Sequence, residues 1–188
     1  MKGKKRRISS KRVALLAILT SAALCSFLIE NLFPPILVPG AKLGIGNVFV
    51  MLAMILCGGP DAIFVVVVKS LLGCIIVGNM GACIYSLSAG LVSTTIMLAL
   101  YIPTRKVSLI AISVFSAVAH NLVQNAVFCI VTESEALFVF APYLVIIGII
   151  SGFAVGVTVY LSVKKIPLSV FEKITGNVDK NNKTEDLR

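Results

Sequence analysis

An all-α, polytopic membrane bundle of six transmembrane helices is the fold class predicted by three observations. First, 58% of the 188 residues are hydrophobic and only 13% are charged, against about 45–50% and about 25% in soluble domains; the mean hydropathy is +1.02. A chain this small has too much surface to fold in water with so few charges. Second, the apolar residues fall in six runs separated by prolines, glycines and basic pairs. Third, the basic residues behind the net charge of +9 bunch beside those runs. Barrel strands would alternate over about ten residues, and nothing here alternates, so backbone satisfaction in lipid leaves helices.

The first run extends from Val13 to about Phe33, where Pro34-Pro35 ends it. A basic leader followed by an apolar run also suits a signal peptide. The apolar run continues past the small residues Ser21, Ala22 and Ala23, and Cys25 follows Leu24 rather than the small residue of a lipoprotein site. A retained first helix is therefore expected. Further spans follow at roughly 43–58, 62–78, 82–102, 108–131 and 138–162. A crossing helix needs about 20 residues, about 17 at least, so the second run is marginal and either begins inside Pro39-Gly40-Ala41 or dips part-way.

Six spans put both termini on one side. With the basic N-terminus inside, Arg105-Lys106 and Lys164-Lys165 also fall inside, and the loop with Glu133 and Glu135 falls outside, as the positive-inside bias requires. The organisation expected is a basic cytoplasmic N-terminus at 1–12, a six-helix transmembrane domain at 13–163 and a polar cytoplasmic tail at 164–188. Basic residues so placed set orientation beside the lipid bilayer. No aromatic-interleaved basic face is present, so nucleic acid is not an expected partner.

Cys25, Cys57, Cys74, Cys83 and Cys129 are scattered, with no CxxC pair, so neither a metal site nor a bound cofactor is expected. Gly148, Gly152 and Gly156 repeat at four-residue spacing, as do Ala82, Ser86, Gly90 and Thr94; such ladders let helices pack closely in lipid. There is no P-loop, Gly44-Ile45-Gly46 lacks a third glycine at dinucleotide spacing, and Asp61, Asp179 and Asp186 form no cluster. Polyprenyl-diphosphate synthesis needs aspartate-rich magnesium sites, so the chain is expected not to be an enzyme.

Polarity inside a membrane marks function. Lys69 lies mid-span between Val65–Val68 and Leu71-Leu72, where a lysine costs about 2.5–3.5 kcal/mol on insertion scales. Snorkelling is hard from that depth. His120, Asn121, Gln124 and Asn125 share one helical face, extended by Ser113, Ser116 and Ala117. Glu30, Lys42, Asn47, Asn79 and Tyr85-Ser86 fall in the same outer leaflet by their place in the spans. Glu30, Lys42, Asn47, Lys69, Asn79, Tyr85, His120, Asn121, Gln124 and Asn125 are thus the candidate substrate-binding residues of a site open to the outside. Two lysines against one glutamate favour an anionic small-molecule ligand.

At these residues the sequence resembles a known family. Pro34-Pro35, Pro39-Gly40-Ala41-Lys42-Leu43-Gly44 and Asn47 form one signature. Lys69 with Leu71-Leu72-Gly73, Gly78-Asn79, Tyr85-Ser86-Leu87 and Gly90 form a second, and Ala119-His120-Asn121 with Gln124 a third. The chain resembles the Gx transporter family, often labelled heptaprenyl diphosphate synthase component I, over about residues 13–163. Where that pattern commonly has glycine, this chain has Ala89, Ser116 and Val123. The family is similar to the substrate-binding S-components of energy-coupling factor (ECF) transporters, which have six helices.

The resemblance implies a multi-pass protein of the bacterial inner (plasma) membrane that binds a small molecule from the outside. Transport would then need an ECF-type transmembrane protein and ATPases, with Ala14, Ala17 and Ser21 of the first span as a close-packing face for that partner. The family's association with flavin-linked and extracellular electron transfer implies an alternative. The chain would then be a non-transporting accessory subunit of such a pathway, or of a prenyl-quinone pathway, with electron-transfer partners. An ion channel is disfavoured, since no ring of charges appears without assuming oligomerisation.

Overall fold

The computed structural model describes residues 10–32, 44–102 and 107–166. Lys42, both proline signatures, the Arg105-Lys106 pair, the leader before Ser10 and the tail beyond Ile166 lie outside the described residues. Those described form helices α1 (Ser10–Leu32), α2 (Gly46–Leu56), α3 (Gly59–Val77), α4 (Met80–Tyr101), α5 (Leu109–Val131) and α6 (Ala141–Lys165), with a 3-10 turn at Glu135–Phe140 before α6. No strand occurs among them. Five helices are long and apolar enough to cross a membrane; α2 is a shorter apolar helix. At 11 residues and 1.5 Å per residue, α2 is about 16 Å long, roughly half a hydrocarbon core. The chain is an all-helical membrane protein.

Local chemistry sets the breaks. Gly58 (φ 112) ends α2 in a conformation L-residues rarely adopt, and Pro60 opens α3, where its missing N–H is no loss. Gly78 (φ 74) closes α3; its left-handed backbone lets Asn79 N–H reach the Cys74 carbonyl at 3.2 Å. Asn79 then caps α4, its Oδ1 accepting from Ala82 N–H at 2.9 Å. Ser108 caps α5 through Ile110 N–H at 3.2 Å. Two boundaries depart from expectation. The first helix starts at Ser10, so Lys11 and Arg12 belong to it rather than to a leader, and α6 runs to Lys165.

Helices α1 and α3 run parallel with α2 antiparallel between them. At the Ser10 end, Arg12 donates from Nε to Asp61 at 3.0 Å and from Nη2 to the Cys57 carbonyl at 2.9 Å, tying α1 to the α2–α3 junction. Further along, the Phe27 ring rests on Gly73, where a Cβ would approach it to 2.4 Å. The other three long helices alternate in direction, and α5 packs most extensively on α6 and α4. The glycine ladder of α6 takes the backbone of α5. A Cβ at Gly148 would meet Val118 Cα at 2.9 Å, at Gly152 Val114 Cα at 2.7 Å, and at Gly156 Ile110 Cα at 2.7 Å. The ladder therefore serves packing within the chain. The α4 ladder of Ala82, Ser86, Gly90 and Thr94 is buried as well, with Gly90 under Val66.

The apolar core, from Leu19 and Ala23 through Val50–Cys57, Val65, Val66 and Met97 to Ile112 and Val159, lies around α2. The large apolar side chains that remain exposed, Ile18, Phe64, Ile75, Ile76, Phe115, Ile150 and Phe153 among them, point away from that core. In a bundle this apolar they face lipid, which needs no polar cover.

Candidate functional site

Because α2 is short, its first turn sits at mid-depth instead of at a surface. Gly46 makes the close approach possible. A side chain there would come within 3.2 Å of the Ala23 carbonyl and 3.4 Å of Lys69 Nζ. Ile45 N–H, ahead of α2, donates to the Glu30 carboxylate on α1. Lys69 Nζ on α3 donates to Asn47 Oδ1 at 2.8 Å. Lys69 is 6% exposed, so an ammonium is held by an amide deep among apolar helices.

Asn47 also borders a cavity. Its other walls are Gly44 ahead of α2, Met97 of α4, Ser113, Ser116, Ala117, His120 and Asn121 of α5, and Ser151 and Val155 of α6. The cavity volume is about 10 Å³, on the order of one water. Among the described residues no carboxylate lines it. His120 Nδ1 lies 3.2 Å from Ser93 Oγ on α4, and Ser116 Oγ donates to the Ser93 carbonyl at 3.0 Å. Asn121 Nδ2 donates to the Leu144 carbonyl of α6 at 3.2 Å, leaving its Oδ1 as an acceptor on the same amide.

The structure brings together Asn47, Lys69, His120 and Asn121, drawn from three helices. Gln124 and Asn125 are buried on the same α5 face, 1% and 3% exposed, but outside the cavity wall. Asn125 Nδ2 reaches the Leu137 carbonyl of the 3-10 turn at 3.4 Å, answering a backbone acceptor that a continuous helix would have satisfied. Tyr85 is set edge-on to Phe128, with ring centres 5.4 Å apart. Asn79 is exposed in the α3–α4 turn. Glu30 is spent on the start of α2, and Lys42 lies outside the described residues. The cavity is also deeper than the spans suggested. Met97 and Ser113 carry it from mid-depth toward the end where α5 begins, because α2 starts at mid-depth.

Ser93 and Ser151 were not legible as site residues. Hydroxyls in apolar helices usually bond their own preceding turn, as Thr20, Thr95 and Thr158 do here. Sequence alone cannot separate these from a hydroxyl that meets a histidine. Among the described residues no three His, Cys, Asp or Glu side chains gather in a way that could hold a metal ion.

An imidazole, amides and hydroxyls around one cavity within apolar helices, with a buried lysine bonded to one of those amides, define a polytopic membrane protein with an internal polar site. Residues 19–161 match the family described as Heptaprenyl diphosphate synthase component I, and the chain belongs to that family. No curated protein and no solved structure matches it.

Proposed function

We propose that the chain is the substrate-binding membrane subunit of a transport system, similar in kind to ECF S-components, and that it captures a small anionic molecule. The observation that carries this reading is the buried Lys69–Asn47 pair beside a cavity walled, among the described residues, by an imidazole, amides and hydroxyls. An ammonium buried this deep among apolar helices gives the site a cationic group, and a ligand anion suits the compensation that burial demands. The ligand enters from the end where α1 finishes. That end is outside and both termini are cytoplasmic, by the placement of basic residues. A partner with ATPases supplies energy, since the chain has no nucleotide-binding loop.

The chain itself catalyses no reaction in this reading, in spite of the word synthase in the family description. Of its three aspartates, Asp61 is engaged by Arg12 at the Ser10 end, and the other two stand apart in sequence at 179 and 186.

One observation favours a second reading. A cavity of about 10 Å³ admits no organic molecule without helix movement. A non-transporting accessory subunit of an electron-transfer or prenyl-quinone pathway needs no such movement. Gentle purification from native membranes, with every co-purifying protein and small molecule identified by mass spectrometry, tests both. An ECF-type transmembrane partner with ATPases and a bound anion supports transport. Flavoprotein or prenyltransferase partners without that module overturn it in favour of the accessory subunit.

A further inference from the structure

Three polar side chains in the cavity wall, Ser116, Asn121 and Ser151, are turned by their own hydrogen bonds into acceptors. Ser116 Oγ donates to the Ser93 carbonyl of α4 at 3.0 Å. Asn121 Nδ2 donates to the Leu144 carbonyl of α6 at 3.2 Å, and Ser151 Oγ to the Gly148 carbonyl of its own helix at 3.4 Å. A backbone carbonyl can only accept, and a hydroxyl has a single proton to give. Both serines therefore keep only lone pairs for the cavity, and Asn121, its nitrogen turned to α6, adds those of Oδ1. The three residues are 3%, 3% and 8% exposed, so bulk water does not answer these oxygens. The α2 side is the reverse. An ammonium has donors and no acceptor, so whatever else Lys69 touches, Asn47 turns Oδ1 to it, at 2.8 Å. The Asn47 nitrogen then lies on the other arm of the amide, 3.1 Å from where a Cβ on Gly44 would stand. Gly44 and Asn47 both line the cavity.

We infer that the cavity takes a small carboxylate that also carries an amino or carboxamide nitrogen, an amino acid in chemical type, with the nitrogen toward α5 and α6 and the carboxylate toward α2. A nitrogen with two or three hydrogens can serve more than one of the oxygens of Ser116, Asn121 and Ser151, which a hydroxyl cannot. Oxygens buried in apolar helices cost free energy while no donor meets them. The same oxygens repel a carboxylate, whereas the Asn47 N–H accommodates one, so this binding direction is favoured over its reverse. Ser116 and Asn121 tie α5 to α4 and to α6 through the bonds that fix their polarity. Helix movement that admits the ligand and keeps α4, α5 and α6 together therefore leaves the accepting side intact. The inference rests on the ligand-binding reading above and adds the second functional group and its direction.

The test uses the full chain in lipid nanodiscs and reads the rise in melting temperature with added solute. The probes are the protein amino acids, their N-trimethylated forms and the matching carboxylic acids without nitrogen. At least one amino acid should stabilise the chain. Its trimethylated form, which keeps the charge but has no N–H, should not, and neither should the nitrogen-free acid. Ser151→Ala should weaken binding of that amino acid by about 3- to 10-fold, the worth of one hydrogen bond. The variant should fold, because this hydroxyl bonds only its own helix. Stabilisation by no amino acid overturns the inference, as does equal stabilisation by the trimethylated or nitrogen-free form, or full affinity in a folded Ser151→Ala protein. A nitrogen-free anion recovered from native membranes with an ATPase-bearing partner overturns the ligand class and leaves the transport reading standing. Flavoprotein or prenyltransferase partners with no bound solute remove both.

Discussion

Lys69 and Asn47, 22 positions apart in sequence, meet at 2.8 Å where α3 passes the first turn of α2. Neither is explained without the other. A mid-span lysine needs a partner that lipid does not supply, and a helix that starts at mid-depth needs its first polar residue answered from within the bundle.

Removing one partner should therefore cost more than removing both. Asn47→Leu leaves the ammonium short of an acceptor, and the expected loss is about 1.5–3 kcal/mol, the range for hydrogen bonds to charged groups. The double variant Asn47→Leu/Lys69→Leu should recover most of that stability, because two apolar side chains suit an apolar setting. It should not recover ligand binding. Thermal unfolding in detergent, paired with recovery of the bound solute, separates the two effects. An Asn47→Leu protein as stable as wild type would remove the structural role given to this bond.

A second pair is steric. Gly73 lies beneath Phe27, and a Cβ there would come within 2.4 Å of the ring. Gly73→Ala should destabilise by about 1–3 kcal/mol through overpacking. Adding Phe27→Leu should return part of that loss, since the smaller side chain vacates the contact. Gly81→Ala is the control, with its nearest contact at 3.5 Å, and should be nearly silent. Equal melting temperatures for Gly73→Ala and Gly81→Ala would contradict the packing of α1 on α3.

The Arg12–Asp61 pair is 17% and 18% exposed at its side chains, between the surface case worth little and the buried case worth much. Arg12→Ala or Asp61→Asn should cost about 1 kcal/mol, with the loss shrinking as salt is raised. The exchange Arg12→Asp/Asp61→Arg should recover only part, because Arg12 also donates to the Cys57 carbonyl at 2.9 Å and an aspartate cannot. A full recovery would mean that the carbonyl bond adds nothing.

The membrane class, the long helices and the polar face of α5 were all readable from local pattern. Apolar runs, glycine ladders and a cluster of amides within six residues are properties of neighbouring positions. The length of α2 was half-readable, as a run too short to cross. Its consequence was not, since placing Gly44 and Asn47 at mid-depth depends on how α1 and α3 clasp α2 through Gly46 and Lys69. The roles of Glu30 and Asn125 were also hidden. Each answers a backbone group, the Ile45 N–H and the Leu137 carbonyl, and such needs arise only where helices end. Tyr85 and Asn79 were legible as polar groups by depth alone; that one sits edge-on to Phe128 and the other caps α4 was not.

Orientation is open to a direct test, and the buried cysteines make it a clean one. Cys57, Cys74, Cys83 and Cys129 are buried, and Cys25 is exposed on α1. Burial first, and then the charge of Asp61, push the Cys57 thiol up to about 11 against the lowering pull of Arg12. It is therefore unreactive near neutral pH, where a thiolate is required. In a Cys25→Ser background, Glu135→Cys reports one end of the bundle and Lys165→Cys the other, both positions being exposed. A membrane-impermeant maleimide should label Glu135→Cys in intact cells and Lys165→Cys only after the membrane is opened, as the positive-inside bias requires. The reverse pattern would turn the protein over and make the ligand enter from the cytoplasm. Labelling of both from one side would mean that α6 does not cross, and the even number of spans would fall with it.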